Sequence, residues 1–395
     1  MSAPRFALPF AWPVLVLGIT QIVGFGTLYY AFSVMVPALT GDLGITTTFA
    51  YAGFSAALLA SGLFAPVAGR MIDRLGARAV MSWGSALAAL ALVALSQVTS
   101  GWWLVAALVL AELVAPLVLY DAAFAAIAQA VGPAKARRAI TQMTLLGGFA
   151  STVFWPATLW LIDGFGWREA YLFYAALHLF LCLPLHLTLP RHAPENGKAP
   201  SEPPRFAPLP PDQHRKAMIL LAVSFTGAGA VFSAMTAQWV PALMALGLGQ
   251  GAAVAAGALM GPAQVGVRVL EMAFGGRYHP VVTAYVSLGL LVVAMALLAL
   301  APVGLWSASA FAVMFGLSQG LTSIVRGTVP LALFGPLGFA ARLGALAGLR
   351  MTLGALAPLA LAGALALIDA RLALAAAGAL SLAALLALTR LPYKA

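Results

Sequence analysis

Charge is what this 395-residue chain has least of: Asp, Glu, Lys and Arg together make up 8% of it, against the roughly 25% usual in a soluble domain. So few charges cannot cover the exterior of a water-soluble globule of this length, so lipid must solvate most of the surface. Acidic residues are scarcer still, 11 against 21 basic ones, for a net charge of +10. Nucleic acid is not the partner implied by that excess, because the basic residues sit in short loops between apolar runs and form no basic–aromatic groove. The single cysteine, Cys182, lies in an apolar run and excludes an internal disulfide or a cysteine metal cluster. The five histidines (His178, His186, His192, His214 and His279) show no zinc-ligand spacing, and no Walker loop is present. Neither ATP nor a cofactor is expected, and no soluble domain is left over to carry catalysis, so the chain does not read as an enzyme. A secretory signal pattern is missing too: the apolar run 11–36 is too long and lacks a cleavage site, so it reads as a first membrane helix.

What the chain does have is apolar length, with 63% of its residues hydrophobic. Spans long enough to cross a bilayer fall at 11–36, 48–69, 79–98, 102–129, 138–162 and 168–189, and again at 217–243, 251–274, 280–300, 304–330, 341–367 and 371–390. Between the two sets, 190–216 is rich in Pro and charge and reads as a flexible linker. The second half echoes the first. Val36-Pro37-Ala38-Leu39 returns as Val240-Pro241-Ala242-Leu243, Gly132-Pro133 as Gly335-Pro336, Pro156 as Pro358, and Leu161-Ile162-Asp163 as Leu367-Ile368-Asp369. The order is kept and the offsets stay between 202 and 206, which predicts a duplicated unit. The expected architecture is an all-α membrane protein of twelve transmembrane helices in two pseudo-symmetric six-helix bundles, residues 1–189 and 217–395. In such duplicated membrane proteins the interface between repeats is where substrate sites lie.

Sixteen of the 21 basic residues fall on the side that holds both termini (Arg5; Arg70, Arg74, Arg78; Lys135, Arg137, Arg138; Arg191, Lys198, Arg205, Arg215, Lys216; Arg277; Arg342; Arg390, Lys394), and two, Arg168 and Arg371, on the other. The positive-inside bias then places both termini in the cytoplasm. Arg268, Arg326 and Arg350 fall within predicted helices.

Between the second and third spans stands Gly69-Arg-Met-Ile-Asp73-Arg74-Leu-Gly76-Ala-Arg78. Glycines let the backbone turn tightly, Asp73 can pair with an arginine or cap a helix, and the basic residues hold the turn at one face. The pattern resembles the loop signature of the major facilitator superfamily, G-x-x-x-D-R-x-G-x-R, with every named position filled. With twelve spans, a duplication and a central linker, the resemblance covers essentially the whole chain. It implies a secondary transporter working by alternating access, with Gly69, Asp73, Arg74, Gly76 and Arg78 as a gate latch that does not touch substrate. In the second half Arg268, Glu271, Gly275, Gly276 and Arg277 form a degraded counterpart. Arg70 to Asp73 and Arg268 to Glu271 are both three-residue steps, which makes Arg268 and Glu271 a second latch. Counted back from the next helix, Arg268 instead lies about one turn deeper, where it is similar to the substrate-carboxylate arginine of monocarboxylate porters and the oxalate:formate exchanger branch. The two alignments conflict.

Ionisable residues inside a membrane are costly and are functional candidates by default. Glu112 lies about 15 Å beyond Trp102 along its helix, near the bilayer centre; it reads either as a proton-coupling site or as a neutral group bonded within the bundle. Asp121, nine residues further, projects to the opposite face of a uniform helix, and is a second proton-coupling candidate or a partner for an arginine. Gln319, Thr322 and Arg326 share one face of helix 10, and Gln264, Arg268 and Glu271 one face of helix 8. Polar stripes of this kind face protein or a water-filled cavity, although all three helix arginines stand where a long side chain can snorkel. That is the favoured reading for Arg350, and an Arg268–Glu271 pair would cancel its own charge. Gln21, Phe25, Tyr29 and Phe32 drift along one face of helix 1, and Gln238 stands beside Trp239 on helix 7. The expected substrate-binding set is Arg268, Arg326, Gln319, Tyr29, Gln21 and Gln238. The expected partners are a small organic anion (a mono- or dicarboxylate), protons or a counter-anion, and the lipid of a cytoplasmic (inner) membrane, with the protein acting as a monomer. The alternatives are an exporter of amphipathic metabolites or drugs, and a non-transporting receptor or lipid-handling protein.

Overall fold

The computed structural model describes residues 11–191 and 206–393. Arg5, Lys198, Arg205 and Lys394, and residues 192–205 of the expected linker, lie outside the described residues. Twelve helices among those described are long and apolar enough to cross a membrane: α1 Trp12–Leu43, α2 Thr47–Leu75, α3 Ala77–Ser96, α4 Gly101–Val131, α5 Pro133–Phe165, α6 Trp167–Leu187, α7 Pro211–Ala237, α8 Gln250–Phe274, α9 Pro280–Leu300, α10 Leu305–Phe334, α11 Phe339–Leu367 and α12 Ala370–Thr389. Their apolar side chains form two buried clusters, one within the first six helices and one within the last six. Leu331, Phe339, Ala340 and Leu343 of the second half join the first cluster, at the end of the bundle that carries Arg70, Arg74 and Arg78. That end is called the basic end below.

The repeated residues occupy repeated structure. Gly132 (φ 75°) ends α4 and Pro133 opens α5; Gly335 (φ 70°) ends α10, with Pro336, Leu337 and Gly338 between it and α11. Glycine takes this positive φ without the steric cost of a Cβ; Pro133 opens its helix directly, whereas Pro336 lies in the turn before α11. Pro156 and Pro358 both lie inside helices. At the opposite end, Arg168 donates to the carbonyl of Val98 at 3.0 Å, and Arg371 to those of Ala299 and Ala301 at 3.2 and 3.1 Å. Each arginine thus staples the start of the last helix of its half to the end of the third.

Three departures from uniform helices bear on the site. In α1, Gly26–Tyr30 winds as a π-helix, and in α6 so does His178–Cys182; they meet where Thr27 Oγ1 and His178 Nε2 lie 2.8 Å apart. In α4 the helix breaks at Leu119 (φ −85°, ψ −166°), shortly after Pro116. The expected span 217–243 is divided: α7 ends at Ala237, and a short helix Trp239–Ala245 follows Gln238. Pro241 has no N–H for the carbonyl of Ala237 and its ring crowds that turn, which accounts for the break.

Candidate functional site

The basic end is closed by contacts between the halves. The Asp73 carboxylate, on the last turn of α2, accepts hydrogen bonds from the backbone N–H groups of Ala340 (3.1 Å) and Ala341 (2.8 Å). These amides belong to the first turn of α11, whose unsatisfied N–H groups and dipole favour a negative charge. Glycines make the approach possible: a Cβ on Gly69 would strike the carbonyl oxygen of Ala340, and one on Gly344 the carbonyl oxygen of Ala65. Arg342 lies within electrostatic range of Asp73. Arg74, Gly76 and Arg78 stand in the same turn and make no bond to the second half among the described residues.

A second bridge joins α5 to α8 and α9. Arg137 donates to Glu271 Oε1 at 2.7 Å, to Thr283 Oγ1 at 3.0 Å and to the carbonyl oxygen of Tyr278. Thr283 also donates to Glu271. Glu271 is therefore paired across the halves, and the expected Arg268–Glu271 pairing within one helix does not form. Arg268 turns the other way, 6% exposed, with Nη1 donating to the carbonyl of Thr144 on α5 at 3.3 Å. Arg268 thus meets α5 at Thr144, seven residues along that helix from the Arg137 that holds Glu271.

At that deeper level three arginines of the second half converge on α4. The Arg326 guanidinium carbon lies 5.9 Å from the Tyr120 ring, and Arg350 Nη2 lies 4.0 Å from Asp121 Oδ2. Arg268 stands within electrostatic range of Tyr120 and Tyr30. None of the three reaches toward the basic end as a snorkelling side chain would, and for Arg350 this corrects the expectation. The Nε atoms of Arg268 and Arg326 are buried without a hydrogen-bond partner. Asp121 is the only carboxylate ion-paired with any of the three among the described residues.

Glu112 is 3% exposed and makes no hydrogen bond; Oε1 is fully buried and unpartnered. It lies within electrostatic range of Tyr29, as does Arg350. Glu112, Tyr29, Arg350 and Asp121 therefore form one electrostatic row, although a uniform α4 would set the two carboxyls on opposite faces. The break at Leu119 re-aims the helix and removes the basis of that projection. Tyr29 sits midway along α1, in the π-turn, yet is 43% exposed. The side chains of Arg350 and Asp121 keep 20% and 24% of their surface open. Every hydrogen bond and ion pair joining the halves among the described residues lies between this level and the basic end.

Other expected site residues fall elsewhere. Gln21 is fully buried, and its Nε2 donates at 2.8 Å to the Val118 carbonyl that the break in α4 leaves free. It holds α1 to the break in α4, and the π-turn at Gly26–Tyr30 lies between it and Tyr29. Gln319 accepts from Gln264 at 2.8 Å, tying α10 to α8. Gln238 donates to the carbonyl of Pro358 at 3.3 Å, at the break after α7. Sequence reasoning missed the bridging place of Arg137, counted only as a basic loop residue, and the inward aim of Arg350.

The family model of the Major Facilitator Superfamily matches residues 17–360. The chain belongs to that superfamily. Among solved structures it is similar to the human organic anion transporter MFSD10 (TETRAN), at 16% identity and a TM-score of 0.75 over 95% of this chain and 99% of that one. It is also similar to the proton:xylose symporter XylE bound to 6-bromo-6-deoxy-D-glucose, at 13% identity and a TM-score of 0.70 over 96% of each chain. No curated protein matches the sequence. The major facilitator fold and the family make this a multi-pass membrane protein and a secondary transporter.

Proposed function

We propose that this transporter moves a small organic anion, a mono- or dicarboxylate, across a cytoplasmic (inner) membrane, with its basic end and both termini in the cytoplasm. The observation that carries this reading is the convergence of Arg268, Arg326 and Arg350 inside the helix bundle with one ion-paired carboxylate, Asp121, among them. Uncompensated cations at that depth are costly, and a guanidinium fork matches a carboxylate in geometry as well as charge. At 16% identity the likeness to MFSD10 concerns fold alone, so the anion reading rests on these side chains.

On this reading the Asp73–α11 and Arg137–Glu271 contacts are the two latches of the cytoplasmic gate, here closed. Glu112, buried without a partner, is the group whose charge the surroundings make most costly, and it carries the coupled proton. A purified-protein stability screen tests the substrate class: a ligand present at a hundred times its Kd stabilises the folded state by about 2.7 kcal/mol. Carboxylates should raise the melting temperature, and Arg268→Ala should remove the rise. The aromatic wall of Phe25, Tyr29, Tyr30, Phe54 and Trp155 favours a second reading, an exporter of amphipathic molecules. Stabilisation by apolar cations or neutral amphiphiles, with none by any carboxylate, would replace the first reading with the second.

A further inference from the structure

Away from the three central arginines, a groove of about 630 Å³ runs between α3 and α6 at the basic end. Its floor is apolar, with Ala79, Ala86, Leu183 and Leu187 among its lining residues. Two arginines line it as well: Arg78, on the first turn of α3, and Arg191, just beyond α6. Neither guanidinium makes a hydrogen bond or ion pair with any described residue. Trp83, also in the lining, is 73% exposed, and Leu87 and Leu90 further along α3 are 44% and 63% exposed. This is therefore an outer, lipid-facing surface. The groove is held open from within: Ser85 Oγ and His186 Nδ1, 2.8 Å apart and both buried, fix the spacing of α3 and α6.

We propose that this groove binds an anionic phospholipid, its phosphodiester headgroup between Arg78 and Arg191 and an acyl chain along the apolar floor beside Trp83. The occupant follows from charge complementarity. Two cations without acceptors among the described residues stand at the level of the headgroups, and the apolar channel continues from them toward the membrane interior. Basic pockets between membrane helices on the cytoplasmic side take such headgroups, and tryptophan suits the boundary between headgroup and chain. A zwitterionic lipid brings its own ammonium and leaves the two guanidinium groups half-satisfied. The proposal uses only the basic end of the first half and does not depend on the identity of the transported solute.

The test is native mass spectrometry of the detergent-purified full chain, titrated separately with phosphatidylglycerol and phosphatidylcholine of matched acyl chains. Each basic residue near an anionic headgroup is worth about fivefold in affinity, so the double variant Arg78→Gln/Arg191→Gln should bind phosphatidylglycerol about thirtyfold more weakly. Ala86→Phe, which fills the floor and leaves both charges in place, should displace both lipids. Arg138→Gln/Arg390→Gln, which removes two basic-end charges outside the groove, should leave phosphatidylglycerol binding at the wild-type level. Equal wild-type binding of the two lipids overturns the proposal. So does an unchanged affinity in the Arg78/Arg191 variant, or an equal loss in the Arg138/Arg390 control. Each variant is judged on material that elutes as a single symmetric peak, and Ala86→Phe keeps the test decisive if the double arginine variant does not fold.

Discussion

Replacing Asp73 by Asn removes the charge from the α2–α11 latch while keeping its size. In the closed state the carboxylate accepts from two amides, at 3.1 and 2.8 Å, on the first turn of α11. Hydrogen bonds to a charged group contribute about 1.5–3 kcal/mol each and neutral ones about 1; a charge at a helix N-terminus adds roughly 0.3–1. An asparagine can offer one carbonyl oxygen, and its NH2 faces the other amide. The closed state should lose about 2 kcal/mol relative to the open one, which changes the closed-to-open ratio roughly 30-fold. Spin labels at Leu75→Cys and Leu337→Cys, both exposed beside the latch, read the separation of the halves by pulsed dipolar spectroscopy; Cys182, the only native cysteine, is buried. The wild type should give mainly the short distance and Asp73→Asn mainly a longer one, with transport slowed more than substrate affinity is reduced. An unchanged distance distribution, or an effect confined to affinity, refutes the latch.

Four further outcomes are expected. Arg268→Lys and Arg326→Lys should weaken substrate binding about tenfold, because lysine lacks the planar fork, and the Ala variants should nearly abolish it; isothermal titration in detergent that found lysine fully tolerated at both sites would exclude them as anion contacts. Glu112→Gln should flatten the pH dependence of net uptake into proteoliposomes while exchange continues, and an unaltered pH profile would reduce Glu112 to packing. His279 caps α9 through Nδ1 and stacks on Tyr393; burial, with Arg137 nearby, holds its pKa down to about 4. The unfolded chain then binds the extra proton first, so stability should fall as pH drops from about 6.5 towards 4, and a denaturation series on His279→Asn should lose part of that slope. Asp121→Asn should tighten anion binding several-fold, measured by the same titration, and slow the return of the empty carrier.

The twelve helices were legible because lipid demands long apolar runs, and the duplication because Gly132-Pro133 and Gly335-Pro336 each mark a turn that needs a positive φ and a helix restart. The contact made by Asp73 could be read as an option, since its short carboxylate at a helix end suits a neighbouring N-terminus. The directions of polar groups within helices were not legible. A constant 3.6-residue period set Glu112 against Asp121 and put Gln21 beside Tyr29, but the break at Leu119 and the π-turn Gly26–Tyr30 interrupt that period between the members of each pair. Nor does Arg350 differ by type or depth from an arginine that snorkels; only the presence of Asp121 across the interface decides its aim. Glu271 had a plausible partner three residues away, and finding Arg137 instead required knowing that α5 and α8 meet.

The arginines of the site also join the two halves, next to the contacts of the gate. The three central arginines all belong to the second half, and the groups they meet, the Thr144 carbonyl, the Tyr120 ring and Asp121, all belong to the first. In the absence of a substrate anion these contacts help hold the halves together just inside the latches. On the anion reading, a carboxylate arriving from the opposite end competes for the guanidinium groups and withdraws them from the facing half. Binding then removes cross-half contacts near the gate and makes good the loss with contacts to a mobile ligand, which is the differential interaction a conformational change requires. On the same reading Asp121 is the internal stand-in for that ligand. It compensates Arg350 when the cavity is empty, so the unloaded carrier need not move an unpaired cation through the closed state. Removing its charge favours substrate over stand-in, and this is why Asp121→Asn should gain affinity at the expense of the empty carrier's return.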